Sequence, residues 1–130
     1  DTFRQFIYFL LGLLGLMLMD CSSAQLENLV AIELIRRYGR ENVFYFEKNV
    51  EIDFYVPEEK LAIQVSLQVL DQIDTREREI GAFVKLKNFI GDATCLLITN
   101  SEEEELDYEG VHVSVVPVWK WLLQNRKQDI

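Results

Sequence analysis

The chain has 130 residues, of which 49% are hydrophobic, so it is long enough to bury one compact core and too short for two ordinary domains. Its formal charge of -9, from 13 basic and 22 acidic side chains, opposes the attraction to phosphate on which nucleic-acid binding depends. The two cysteines, Cys21 and Cys95, exclude a disulfide framework and match no zinc spacing, so we expect reduced thiols in the cytoplasm.

An apolar segment lies near the start of the sequence. Residues 6–19 carry no charged side chain, but their fourteen positions fall short of the roughly 20 that a membrane-spanning helix needs. Asp20 precedes Cys21 where a lipoprotein signal would need a small residue. We predict that residues 1–23 form an apolar helix and a linker. We expect residues 6–19 to be buried against the following domain or against a second copy, which would make a homo-oligomer.

Residues 24–38 predict the first helix of the main domain, with Ser23 as its N-cap and Gly39 at its end. On a helical wheel, one arc is apolar and is expected to face the core: Val30, Ala31, Leu34, Ile35 and Tyr38. Glu33, Arg36 and Arg37 fall on the opposite side. Glu27 falls inside the apolar arc, where a carboxylate has to be paired, protonated, hydrogen-bonded or metal-bound. It is therefore either satisfied locally in the first turn or part of a site.

Two alternating segments with a short turn between them predict a β-hairpin over residues 50–66. They read V-E-I-D-F-Y-V and L-A-I-Q-V-S, and the turn is P-E-E-K. If the turn is symmetric, Asp53 lies opposite Gln64 and Glu51 lies opposite Ser66, with all four on one face. We expect the other, apolar face to be the buried one. Polar residues alternate in this way on any half-exposed hairpin, and that alone would explain the four.

The remaining elements predict an α/β fold. Residues 43–47 read as a short strand, and Asp74 to Glu77 as the capping box of a helix that reaches Ile90. Residues 94–99 read as a buried strand, residues 100–110 as a solvated acidic loop and residues 111–116 as the last strand, before a short aromatic helix at Pro117. We expect a central mixed sheet of about five strands flanked by helices. The only histidine, His112, is expected on an exposed strand face, which argues against a histidine triad or metal site.

The hairpin carries a resemblance to a known family. E-I-D-F, a turn and I-Q-V-S are similar to the core hairpin of the PD-(D/E)XK nuclease-like superfamily. L-E-N-L-V-A-I-E-L at 26–34 and D-T-R-E-R-E-I at 74–80 more specifically resemble the uncharacterised C-terminal domain of bacterial and archaeal AAA-type ATPases. The resemblance covers roughly residues 24–123 and implies a restriction-endonuclease-like three-layer core in a domain spanning 24–130. Because the chain has no G-x-x-x-x-G-K-[ST] motif, the implied ATPase would precede residue 1.

The resemblance also assigns a vestigial catalytic pattern to Glu27, Asp53, Gln64 and Ser66. Metal-assisted phosphodiester hydrolysis needs hard oxygen ligands and a nearby cation. Asp53 keeps the family's aspartate, but Gln64 stands at the second acid and Ser66 at the lysine. We therefore expect a non-catalytic interaction or regulatory module without a cofactor. Its partner would be the upstream ATPase domain or another protein.

Two other functions stay open. A divergent nuclease acting on DNA or RNA would hold Mg²⁺ through Glu51, Asp53 and Gln64, with Glu27 completing the site. A membrane-associated interaction domain would use residues 6–19. The missing acid, the missing lysine and the negative net charge weigh against the nuclease, and the short apolar length weighs against the membrane domain.

Overall fold

A computed structural model describes residues 2–7 and 22–124 of the chain. Residues 2–7 are helical. The elements that follow are helix α1 (Ser23–Tyr38), strands β1 (Phe44–Phe46), β2 (Ile52–Val56) and β3 (Leu61–Val65), helix α2 (Ile73–Ile90), strands β4 (Thr94–Thr99), β5 (Glu104–Tyr108) and β6 (Val111–Pro117), and helix α3 (Val118–Leu123). Short 3₁₀ turns, Arg40–Asn42 and Pro57–Glu59, lead from α1 to β1 and from β2 to β3.

The strands form one mixed sheet in the order β1-β2-β3-β4-β6-β5. The central strands β3, β4 and β6 are parallel, whereas β1, β2 and β5 run antiparallel to their neighbours. Helix α2 supplies the crossover that the parallel pair β3 and β4 requires. The predicted α/β class with a mixed sheet and flanking helices is confirmed, and the hairpin register is too, because Val56 pairs with Leu61.

The sheet has six strands rather than the five that we predicted. Residues 104–108, assigned to a solvated loop, form the edge strand β5 beside β6. Leu106 is buried, whereas Glu104, Glu105 and Asp107 are exposed. Because β5 has a single buried apolar residue among its acids, its sequence does not show the alternation of apolar and polar residues that is typical of a strand. The strand is stabilised by pairing with β6 rather than by its own composition.

Both faces of the sheet are buried, as the alternation along β3 shows. Ala62 belongs to the apolar layer under α2, which includes Phe83, whereas Ile63 belongs to the layer under α1 and α3, which includes Trp121. The expectation that only one hairpin face is buried is therefore wrong. Gln64 shares the face of Ala62 and is only 2% exposed. The polar residues of the hairpin thus lie beneath α2 and not on an open surface.

The packed stripe of helix α1 agrees only in part with the one we predicted: Val30 and Leu34 are buried as expected, whereas Ile35 is exposed. Its buried residues are Leu26, Val30, Glu33 and Leu34, and Glu27 is exposed, so the prediction that Glu27 points into the core is wrong. The guanidinium of Arg37 lies 4.5 Å from the ring centre of Trp121, and its Nη2 donates to the Trp121 carbonyl oxygen at 2.9 Å. Arg36 Nε donates to Glu33 Oε1 at 2.6 Å. Arg36 stays exposed, whereas the side chains of Glu33 and Arg37 are buried, with Arg37 Nε 3.9 Å from Glu33 Oε1.

The predicted C-terminal ends of the helices agree with the structure better than the predicted N-terminal ends do. Gly39 follows α1 as predicted, and Gly91 follows α2, which ends at the predicted Ile90; both glycines have a φ of 89°. The N-cap of α1 is Ser22 and not Ser23, and it forms a capping box with Gln25. Helix α2 begins at Ile73 after Gln72, which makes no side-chain capping bond, so the capping box predicted from Asp74 is wrong.

The prediction for the apolar segment falls mainly on residues 8–19, which lie outside the described residues. Of residues 2–7, Phe3 is 71% exposed. Within the described ranges, no helix combines the length and the apolar character needed to cross a bilayer. Helix α1 begins at Ser23, and the domain boundary at residue 23 stays a prediction.

Candidate functional site

The strands β2 and β3 are joined by side chains at the point where their ladder ends. Backbone pairing runs from Val56 and Leu61 to Phe54 and Ile63. At the next position, the Asp53 N–H donates to Gln64 Oε1 at 2.8 Å, and the Val65 N–H donates to Asp53 Oδ2 at 2.8 Å. Each side chain therefore satisfies a backbone donor of the opposite strand. Asp53 and Gln64 thus lie side by side as predicted, but their side chains bind backbone groups. We call these two hydrogen bonds between β2 and β3 the seam.

The amide of Gln64 is fully oriented by this seam. Besides accepting from the Asp53 N–H, its Nε2 donates to the carbonyl oxygens of Glu51 at 3.0 Å and Glu79 at 3.5 Å. A flipped amide would set its oxygen against two carbonyl oxygens and its nitrogen against an N–H, so the network fixes one orientation. Gln64 thereby ties β2, β3 and α2 together.

A cleft lined by charged side chains of both signs lies over the seam, between the hairpin and α2, with a volume of about 270 Å³. Its charged lining consists of Glu51, Asp53, Glu77, Glu79, Lys48, Arg78 and Lys85. Of the predicted metal ligands, Glu51, Asp53 and Gln64 all line this cleft. Sequence reasoning thus placed these three side chains correctly in one location.

Two carboxyl groups of the cleft are perturbed. Burial raises the pKa of Asp53, and the charges of Glu27 and Glu51 act in the same direction, against the hydrogen bond from the Val65 N–H. Burial also raises the pKa of Glu79, and the nearby charge of Asp53 adds to the effect. Arg78 opposes both shifts, and its Nη2 lies 3.4 Å from Glu79 Oε1. The cleft therefore brings together acids that disfavour one another's ionisation.

The other two predicted site residues lie outside this cleft. Ser66 lines a separate cavity of about 550 Å³ with residues such as Gln72, Thr75 and Asn100, and its Oγ donates to the Gln68 carbonyl oxygen at 3.3 Å. The structure does not bring the Ser66 side chain into the cleft of Asp53, although the backbone continues beside β4 at this point, where the Ser66 N–H donates to the Ile98 carbonyl oxygen at 3.0 Å. Glu27 is exposed on α1 and acts on Asp53 only through its charge.

The residues of the cleft do not fit the Mg²⁺ site that the nuclease alternative requires. In the part of the chain that the structure describes, no three histidine, cysteine, aspartate or glutamate side chains are placed to hold one ion. One oxygen of Asp53 accepts the Val65 N–H, and the oxygen of Gln64 accepts the Asp53 N–H. These oxygens bind backbone donors, whereas a hard cation needs several oxygens directed at one point.

Glu79 is the cleft residue that sequence reasoning missed. It lies four residues before Phe83 and seven before Leu86, both of which are buried residues of α2. That spacing places it on the packed stripe of the helix. The signal was present in the sequence, but the prediction for this end of the helix was limited to a capping box at Asp74 to Glu77.

Comparison with protein-family models, with curated proteins and with solved structures gives no match to this chain.

Proposed function

We propose that the chain is a non-catalytic nuclease-fold module, the C-terminal interaction or regulatory domain of a cytoplasmic AAA-type ATPase. The observation that carries this proposal is the bonding of Gln64. The position that would hold the second catalytic acid is occupied by an amide that makes three hydrogen bonds to backbone groups. A side chain used in this way stabilises the seam between β2, β3 and α2 and is not available to activate a metal-bound water.

The position of Ser66 and the net charge of the chain also support the proposal. Ser66, at the position of the family's lysine, lines the neighbouring cavity and carries no charge. The net charge of -9 repels a phosphate backbone. The finer fold that we propose is the restriction-endonuclease-like core, because the antiparallel hairpin β2-β3 continues through α2 into the parallel strand β4.

A divergent metal-dependent nuclease is the second candidate, and one observation favours it. Helix α2 places Glu79 beside Asp53, with Lys48 and Lys85 in the same cleft, so a second acid and a cation come from positions outside the family pattern. This candidate requires the carboxylates to rearrange around Mg²⁺, since they do not converge on one point as they stand.

The deciding experiment is a nuclease assay on the full chain with single- and double-stranded DNA and RNA, in Mg²⁺ and in Mn²⁺. We expect no cleavage. Cleavage that is abolished in Asp53→Ala and in Glu79→Gln, but kept in the control Glu104→Gln on the exposed strand β5, would replace the proposal with the nuclease candidate. If Gln64→Glu combined with Ser66→Lys gained cleavage that the parent lacks, the nuclease-like fold would be supported.

Self-association through residues 6–19 is part of the same proposal, because contact with water is unfavourable for an apolar segment of this length and a second copy could cover it. Sedimentation of the full chain is expected to show a homo-oligomer that dissociates when a charged residue replaces Leu13. A monomer over the whole accessible concentration range would contradict it.

A further inference from the structure

Helix α2 has a glycine near its middle that neither the backbone nor the packing requires. Gly81 costs the helix stability relative to alanine, because glycine is a poor helix former. It is not one of the described glycines with a positive φ, so an L-residue fits its backbone. A Cβ at this position would meet no other part of the chain within 4 Å. Because Gly81 lines the cleft, the side chain that it lacks leaves room there.

The acids of the cleft are gathered at the seam. Asp53 is part of the seam, and the carbonyl oxygens of Glu51 and Glu79 both accept from Gln64 Nε2. Burial raises the pKa of Asp53 and of Glu79, and the charge of Glu51 acts in the same direction on both. Arg78, whose Nη2 lies 3.4 Å from Glu79 Oε1, compensates them only in part. A further positive charge at this end would therefore stabilise the ionised carboxylates.

The two lysines of the cleft lie on the side of β1. Lys48 follows Phe46 by two residues, and Lys85 precedes Phe89 by one helical turn. The rings of Phe46 and Phe89 are in contact, at 6.3 Å between centroids, so the lysines lie near each other. Lys85 also lies six residues after Glu79, or roughly 9 Å along the helix axis. Within the described ranges neither lysine forms an ion pair, so a gap separates them from the acids.

The space between the two ends has an apolar floor. Gly81 and Ala82 lie between Glu79 and Lys85 on α2, and Val50 faces them from the hairpin side of the cleft. Val50 and Ala82 are each 8% exposed. A short apolar chain laid over this floor would lose contact with water at no polar cost. The volume of about 270 Å³ is close to the lower limit of small-molecule sites and too small for a segment of a partner protein.

We propose that the cleft binds a small zwitterion. Its ammonium group contacts the carboxylates of Asp53 and Glu79, its apolar chain lies over Gly81, and its carboxylate contacts Lys48 and Lys85. Such a molecule supplies a partner for both ends of the cleft, whereas an amine or a carboxylic acid supplies only one. Regulation by a ligand of this class deepens the proposed function and rests on it, since a module without catalysis is free to use the cleft for a signal.

The test is an NMR titration of the ¹⁵N-labelled full chain with ω-amino acids of increasing length: glycine, 4-aminobutanoate, 6-aminohexanoate and 8-aminooctanoate. We expect 6-aminohexanoate to bind tightest, with a Kd on the order of 1 mM and shifts confined to residues 48–53 and 77–85. Glycine, which is too short to reach both ends, is expected to bind about tenfold more weakly. Hexylamine and hexanoate, of the same length with one charge each, are expected to bind about threefold more weakly. Equal binding of 6-aminohexanoate and hexylamine, or shifts outside these residues only, would overturn the proposal.

Charge variants test the two ends separately. Lys85→Gln is expected to weaken 6-aminohexanoate about threefold and to leave hexylamine unchanged, because only the first probe has a carboxylate. Glu79→Gln is expected to weaken both probes about threefold and to leave hexanoate unchanged. The controls Lys60→Gln, in the turn after β2, and Glu104→Gln, on β5, are at exposed positions and are expected to change nothing. Equal losses of the two probes in Lys85→Gln would contradict the proposed orientation.

Gly81→Ala tests the room in the cleft. The variant is expected to raise the Tm by about 3 °C, because alanine is the better helix former, and to weaken 6-aminohexanoate about tenfold. Its control is Asn88→Ala, at an exposed position of α2, which is expected to raise the Tm without changing the Kd. An unchanged Kd in Gly81→Ala would overturn the proposal. If no probe binds and no nucleic acid is cleaved, the zwitterion site fails and the proposed function stands. If nucleic acid is cleaved while 6-aminohexanoate still binds in the cleft, the zwitterion site stands and the proposed function fails.

Discussion

Replacing Gln64 by glutamate tests the seam directly, because it changes one NH₂ group into an oxygen at almost constant shape. The oxygen that accepts the Asp53 N–H is retained, whereas the donor to the carbonyl oxygens of Glu51 and Glu79 is lost. The new carboxyl would also lie beside Asp53 and Glu79, two acids whose pKa values are already raised by burial. We expect Gln64→Glu to destabilise the fold at neutral pH.

The expected loss follows from three contributions. The bond to Glu51 at 3.0 Å contributes about 1 kcal/mol, and the bond to Glu79 at 3.5 Å contributes less. Gln64 is only 2% exposed, so an ionised carboxylate there loses its hydration and faces carbonyl oxygens, which adds about 1–3 kcal/mol. The total is about 3 kcal/mol in the free energy of unfolding, or about 10 °C in Tm for a chain of this size.

The loss is expected to depend on pH. Burial and the neighbouring acids raise the pKa of the introduced carboxyl in the folded state above its unfolded value. An acid with a raised folded pKa destabilises the fold most above that pKa, and the loss shrinks as the pH falls through it. When protonated, the carboxyl also regains one O–H donor for the Glu51 carbonyl.

Urea unfolding followed by the fluorescence of Trp119 and Trp121 measures this loss at about pH 7.5 and about pH 5.5. The control is Gln68→Glu, the same change at an exposed position, where we expect less than about 0.5 kcal/mol. Equal losses for the two variants, or a loss at Gln64 that is independent of pH, would refute the role assigned to the seam.

Three further predictions concern other contacts. Glu102 accepts the Val69 N–H at 2.5 Å, so Glu102→Ala is expected to cost about 1–2 kcal/mol and to speed amide exchange at Val69, whereas Glu102→Gln retains the acceptor and most of the protection. Arg37→Met removes the cation from the Trp121 ring and the donor from its carbonyl, and we expect a loss of about 2–3 kcal/mol by urea unfolding; a loss below about 0.5 kcal/mol would contradict the contact. Hydrogen bonds to Asp107 and Glu105 raise the pKa of His112, so the stability that protonated His112 adds is present below the unfolded pKa and is lost as the pH rises through the folded pKa. His112→Gln is therefore expected to lower the stability at about pH 6 and to leave it unchanged at about pH 9. An equal effect at the two pH values would rule out this role of His112.

The hairpin could be predicted because its determinants are local. The turn between Val56 and Leu61 fixes the register as far as Phe54 and Ile63, and alternation gives the faces over that stretch. The alternation does not continue past Asp53, because Ile52 lies in the same apolar layer as Tyr55 and not with Phe54. The sequence therefore placed Asp53 opposite Gln64 without any tertiary information. It could not show that α2 covers this face, because cover depends on the path of a chain segment that begins beyond residue 66.

The errors on α1 and β5 have a common physical cause. A helical wheel or an alternation pattern assigns charged residues to the solvent-facing side. Contacts with other parts of the fold can override that assignment. Glu33 is buried because Arg36 and Arg37 neutralise it against α3, and Trp121, which completes this contact, lies 84 residues after Arg37. In β5 the acids stay exposed, but the strand exists because β6 supplies the backbone partners. Trp121 cannot be read from a local window of sequence. Strand β6 is a local partner, because it begins at Val111 directly after the turn Glu109–Gly110, and the prediction missed this hairpin.

The seam is also the reason that we propose a module without catalysis despite the resemblance in sequence. In the fold that we propose, the second catalytic position has to present an acid to a metal. In this chain the same position faces the carbonyl oxygens of Glu51 and Glu79, and only a donor satisfies them. An acid at residue 64 would repel those oxygens unless a cation were bound between them. Restoring catalysis therefore requires the acid, a metal to neutralise it and a positive side chain within the cleft, because the acid alone weakens the scaffold that would have to hold the metal.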